Sequence, residues 1–158
     1  EIRLSLVGSE MCIRDRDTKV HLVLELKPHA TPEAETAAAE AVVKMVGRYG
    51  LSKRVTYISF SLHVMKELAR LAPAKTQLMY LGGGTLPKDL KAMGLTGCDF
   101  NYGVYLNNPT WLNDIKALKM ASNVWTVNNP ADMIWAIENR VDFITTDRPD
   151  LFLKLTRK

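Results

Sequence analysis

The chain has 158 residues, 47% of them hydrophobic and 24% charged, with a formal net charge of +4, enough apolar material to bury one core and too much for a disordered or fibrous class. No uncharged apolar run approaches the ~20 residues of a membrane-spanning helix, and the basic residues are scattered among 17 acidic ones without the basic block or aromatic interleaving that tracks a phosphate backbone, which argues against a nucleic-acid partner. Cys12 and Cys98 lie in no CxxC or CxxH spacing, which excludes a cysteine-based zinc site or redox pair.

Residues 1–16 fit nothing that follows them, and they fail as a signal peptide because Gly8, Ser9 and Glu10 interrupt a short apolar run. The string resembles translated sequencing-adapter read-through, so it is set aside and the domain is taken as 17–158. From Asp17 the pattern is strand then helix, six times, with short polar or Gly/Pro connections. The first strand, 20–27, places Val20, Leu22, Leu24 and Leu26 on one face and Glu25 with Lys27 on the other, since side chains two apart in a strand point the same way. Pro28 ends the ladder, Thr31 and Pro32 open a helix, and that helix stops near Gly50. Then come strand 55–60 with helix 61–72, strand 77–81 with Gly82-Gly83-Gly84 and a short helix over 87–93, and strand 98–102 with a helix from about 109 to 120. Strand 123–128 precedes a helix over 130–139, and strand 142–147 precedes a closing helix to 155.

Repeated strand-helix units imply a parallel sheet. Without a dinucleotide-type glycine fingerprint, the choice lies between an open doubly wound sheet and part of a (β/α)8 barrel. Glu25, Lys27, Ser59, Asp99, Asn101, Asn128 and Asp147 fall at or near the carboxyl ends of successive strands. A barrel collects its active site there, whereas an open sheet concentrates one at a switch point. The expected fold is therefore α/β, an incomplete TIM-type (β/α)8 barrel with about six βα units and its first strands missing, because a whole barrel runs to about 250 residues.

Leu24-Glu25-Leu26-Lys27-Pro28, Ile58-Ser59-Phe60, Val124-Trp125-Thr126-Val127-Asn128 and Val141-Asp142-Phe143-Ile144-Thr145-Thr146-Asp147 resemble, in order and spacing, the later motifs of the glycerophosphodiester phosphodiesterases. The resemblance implies a barrel hydrolase that converts glycerophosphodiesters to sn-glycerol 3-phosphate and an alcohol with a divalent cation, Mg2+ or Ca2+. It implies that Glu25 is one metal carboxylate, that Lys27 contacts the substrate phosphate and that Trp125 lines the pocket. A hard cation and a phosphate do call for carboxylate oxygens and a neighbouring ammonium. The family's His-Arg motif, its Glu-x-Asp metal pair and its catalytic histidines are not found here. His21, His29 and His63 fit none of those roles, so no catalytic residue is assigned and the chain alone is expected to be inactive.

The remaining candidates carry plainer readings beside the functional ones. Ser59 is a substrate-proximal hydroxyl or a small barrel-filling residue; Asp99, Asn101 and Asn128 are supports behind the site; Asp147 caps the following helix. Gly82-Gly83-Gly84 lacks the Gly-Lys-Ser/Thr of a phosphate-binding loop and reads as an ordinary βα connection. The alternatives to the hydrolase are a related phosphodiesterase acting on another phospholipid head group and a non-catalytic barrel that binds a phosphorylated ligand. Localisation and oligomeric state are not legible, but an incomplete barrel leaves strand edges that favour self-association.

Overall fold

The computed structural model describes residues 21–156, and the adapter-like reading of 1–16 falls outside them. Six strands form one all-parallel sheet in sequence order: β1 (Leu22–Glu25), β2 (Val55–Ser59), β3 (Gln77–Tyr80), β4 (Gly97–Asn101), β5 (Ala121–Trp125) and β6 (Phe143–Ile144). Each strand pairs with the next and no connection reverses the order. That is the winding of a barrel, and the sheet is curled as half of one.

The helices are α1 (Pro32–Arg48), α2 (Leu62–Leu71), α3 (Pro87–Ala92), α4 (Tyr102–Asn107), α5 (Trp111–Ala117), α6 (Pro130–Glu138) and α7 (Pro149–Thr156). Their starts follow from capping chemistry: Thr31 accepts the Ala34 N–H, Ser61 that of Val64 and Asn129 that of Asp132, each satisfying a donor that the first helical turn leaves free. The core lies between the sheet and these helices. Tyr57, Leu78, Cys98, Phe100 and Val124 from the strands are buried against Val64, Met65, Leu68, Ile115 and Met133 from the helices.

Strand β5 lies at 121–125 where 123–128 was expected and β1 is shorter than 20–27, and two further differences have a visible cause. Helix α4 begins directly where β4 ends, because the Asn101 side chain accepts the Gly103 N–H at 2.9 Å and turns the chain at once; Tyr102, expected in the strand, is helical. Strand β6 is two residues long where 142–147 was expected. Beyond it Thr145 still exchanges backbone bonds with Val124 and Val127, and at Thr146 and Asp147 side-chain bonds take over, the Asn128 side chain accepting the Asp147 N–H and the Thr146 hydroxyl.

Candidate functional site

Register fixes which side chains share the concave face. Glu25 aligns with Ile58, Ile58 with Met79, Met79 with Gly97 and Gly97 with Ala121. Residues in one row of a parallel sheet share a face, as do residues two apart. Asp99, Asn123 and Trp125 therefore stand on the same side as Glu25, above the floor formed by Ile58, Met79 and Gly97. This is the lumen side, at the carboxyl ends of the strands.

There Lys27 Nζ lies 2.7 Å from Glu25 Oε1, with the lysine side chain 73% and the glutamate 28% exposed. So exposed a pair contributes at most about 1 kcal/mol to folding, and it opens cheaply for a ligand. Across the lumen, Trp125 donates its indole N–H to the Asp99 carbonyl at 2.9 Å, which holds its ring edge-on to Phe60 with centroids 5.7 Å apart. Glu25 and Lys27 thus present opposite charges on one side of the mouth, and Phe60 and Trp125 present an aromatic wall.

Asp99 sits deeper. It is buried, and its Oδ1 has no hydrogen-bond partner. Burial pushes its carboxyl up to about 6, opposed by a hydrogen bond from the Asn123 side chain and reinforced by the negative charge of Glu25. The same burial, with Asp99 behind it, raises the Cys98 thiol to about 12, so this cysteine is an inert core residue.

Asn101 pairs with Trp125 and so shares its face, and the other predicted residues are placed elsewhere. Ser59 aligns with Tyr80 rather than Met79, so it faces the helices, donating to the Leu26 carbonyl at 2.7 Å and accepting from the Ser61 N–H at 3.0 Å. Asn101 caps α4, and Asn128 joins the loops after β5 and β6 by donating to Asp147 Oδ2 at 2.8 Å. His21 bonds Thr56 at the amino end of the sheet and His63 bonds Thr36 on the helical side. His29, in the loop after Lys27, engages Glu35 through its backbone N–H.

Two residues were not singled out from sequence. Phe60 has a readable signal, lying two positions after Ile58 on the Glu25 face. Glu35 has none: it is an ordinary first-turn glutamate of α1, yet it is buried and bridges the His29 N–H to the Ser61 hydroxyl. It ties the loop that follows Lys27 to the loop that follows β2.

A family model described as the glycerophosphoryl diester phosphodiesterase family matches residues 9–151, beginning inside the segment set aside above. The chain belongs to this family. A curated glycerophosphodiester phosphodiesterase from Caldanaerobacter subterraneus is 28% identical over 151 residues, which is 92% of this chain and 58% of that protein. The crystal structure of a glycerophosphodiester phosphodiesterase from Parabacteroides distasonis is 46% identical with a TM-score of 0.85, over 87% of this chain and 58% of that one. A phosphodiesterase from Oleispira antarctica, solved with the product sn-glycerol-3-phosphate, shares the fold at 18% identity and a TM-score of 0.72, over 85% of this chain and 54% of that one. The chain thus spans a little over half the length of these relatives.

For this member of the glycerophosphoryl diester phosphodiesterase family the donor set decides how far a metal can be assigned. Among the described residues no three His, Cys, Asp or Glu side chains come together as a ligand group. Glu25 offers one carboxylate, and its Oε1 is taken by Lys27. The described residues do not by themselves make a metal centre.

Proposed function

We propose that the chain supplies one side of the active site of a glycerophosphodiester phosphodiesterase, the side that receives the phosphate and the alcohol. The observation that carries this reading is the Glu25–Lys27 pair at the carboxyl end of β1, on the lumen face and opposite Trp125, in a chain of this family. An incoming phosphodiester presents one negative charge, and Lys27 is free to exchange its weak contact with Glu25 for a charge-assisted bond to a phosphate oxygen. Phe60 and Trp125 offer an apolar wall to the glycerol or alcohol moiety and exclude water from that side. The carboxylate released from Lys27 is then available as one ligand to a divalent cation, Mg2+ or Ca2+, whose contribution when bound is to neutralise charge on the phosphoryl oxygens.

The experiment is Glu25→Gln and Lys27→Ala in a longer protein that contains this chain, assayed on glycerophosphodiesters across metal concentrations. Glu25→Gln is expected to lower kcat/KM at least about a hundredfold, the loss typical of one electrostatic contact in a transition state, and to weaken metal activation. Lys27→Ala is expected to act mainly on KM. Full activity and unchanged metal dependence in Glu25→Gln would overturn the reading. A substrate panel separates glycerophosphodiesters from other phospholipid head groups.

A further inference from the structure

At the opposite, amino-terminal end of the sheet, the lumen opens into a cavity of about 780 Å³, well within the range of small-molecule sites. Lys53, Lys75 and Lys119 line it together with His21 and Gln77, and among the described residues no acidic side chain does. None of the three lysines forms an ion pair with a described residue. Thr56 donates to Gln77 Oε1 at 2.6 Å and so accepts from His21 Nε2 at 2.8 Å. That chain turns the Gln77 amide N–H group, which has no partner among the described residues, into an available neutral donor.

The backbone shows that two of these lysines stand at costly positions. Each of the five αβ connections at this end holds one residue with positive φ: Gly50, Lys75, Gly94, Lys119 and Arg140. Glycine adopts that conformation freely, whereas a side chain there costs of order 1 kcal/mol. Lys75, at φ 72, and Lys119, at φ 53, accept the strain, and both point their residues to the same cavity. The helix dipole favours basic residues near helix ends, but it does not explain why lysines from three separate connections converge without a counter-charge.

We propose that this cavity is an anion site for a phosphate dianion, held by Lys53, Lys75 and Lys119 with Gln77 as a neutral donor. Three exposed lysines rimming an open concavity suit a compact multivalent oxyanion, and the volume leaves room for a small alcohol esterified to it. Neither Glu25 nor Lys27 lines it, so the proposal stands whether or not the hydrolase reading does.

The test is titration of the 158-residue chain with inorganic phosphate and, separately, with sn-glycerol 3-phosphate at fixed ionic strength, followed by backbone amide NMR shifts. The variants are Lys75→Gly with Lys119→Gly, which remove both charges at positions where glycine relaxes the backbone and so protect the fold, and Lys27→Ala at the other end. The expected result is saturable shifts at Gln77, Thr96 and Lys119, weakened at least about fivefold in the double glycine variant and unchanged in Lys27→Ala. Saturation by phosphate alone assigns a free-phosphate site, and saturation only by sn-glycerol 3-phosphate assigns an organic phosphomonoester. Shifts that do not saturate, that sodium chloride reproduces, or that persist unchanged in the double glycine variant would overturn the proposal.

Discussion

Asp99 keeps a carboxylate where the lumen gives it too few donors. Its Oδ1 is unpartnered and its pKa is pushed from 3.8 to about 6, chiefly by burial. Between about pH 4 and 6 the folded chain therefore holds a proton that the unfolded chain has released, so stability falls as pH rises through that window, by about 3 kcal/mol once both states are ionised. Asp99→Asn is expected to remove this decline. Urea midpoints at intervals from pH 4 to 7 check it, and parallel curves for the two proteins would refute it. Glu25 and Lys27 were legible from sequence because an i, i+2 relation in a strand needs no knowledge of neighbours. The face of Ser59 was not, because it depends on the register of β2 against β1 and β3. The bridging role of Glu35 was invisible for a similar reason: its two partners lie in loops brought together only by packing.

At the scale of elements, capping chemistry predicts the helix starts and also links one βα unit to the next. Ser61 accepts the Val64 N–H at the head of α2 and donates to Glu35 at the head of α1. Ser61→Ala removes a cap, about 1 kcal/mol, and strips a donor from a buried carboxylate, about 1 kcal/mol more. We expect a loss of about 2 kcal/mol by chemical denaturation; Thr31→Ala, whose cap is exposed and serves one helix alone, should lose about half as much. Equal losses would show that the Glu35 link carries no energy. All six strands and most helices were readable from hydrophobic period and Gly/Pro punctuation. Helix α4 was not, since the turn that launches it depends on a single Asn101 side-chain bond within a segment that alternates like a strand.

At the scale of the whole molecule, the barrel winding was legible because polar residues recur at the ends of successive strands rather than at one switch point, and the order β1 to β6 follows that reading. Among the described residues the outer edges of β1 and β6 are unpaired, and the lumen residues Val23 and Phe143 are exposed. Open edges beside apolar surface favour pairing with another chain. Sedimentation of the 158-residue chain is expected to show concentration-dependent association, and a single monomeric species at all concentrations would count against it.

The β3–β4 ladder, like β5–β6, registers two residue pairs, and just below it the Leu78 N–H bonds the Thr96 hydroxyl while the Leu78 carbonyl accepts the Thr96 N–H. This short seam divides the sheet into a side that bears Glu25, Lys27 and Phe60 and a side that bears Asp99 and Trp125. The Phe60–Trp125 ring contact is a strut across the gap. A molecule lodged between the lysine and the indole would grip both sides at once and act as a clasp, so occupancy of the mouth and stiffness of the sheet rise together.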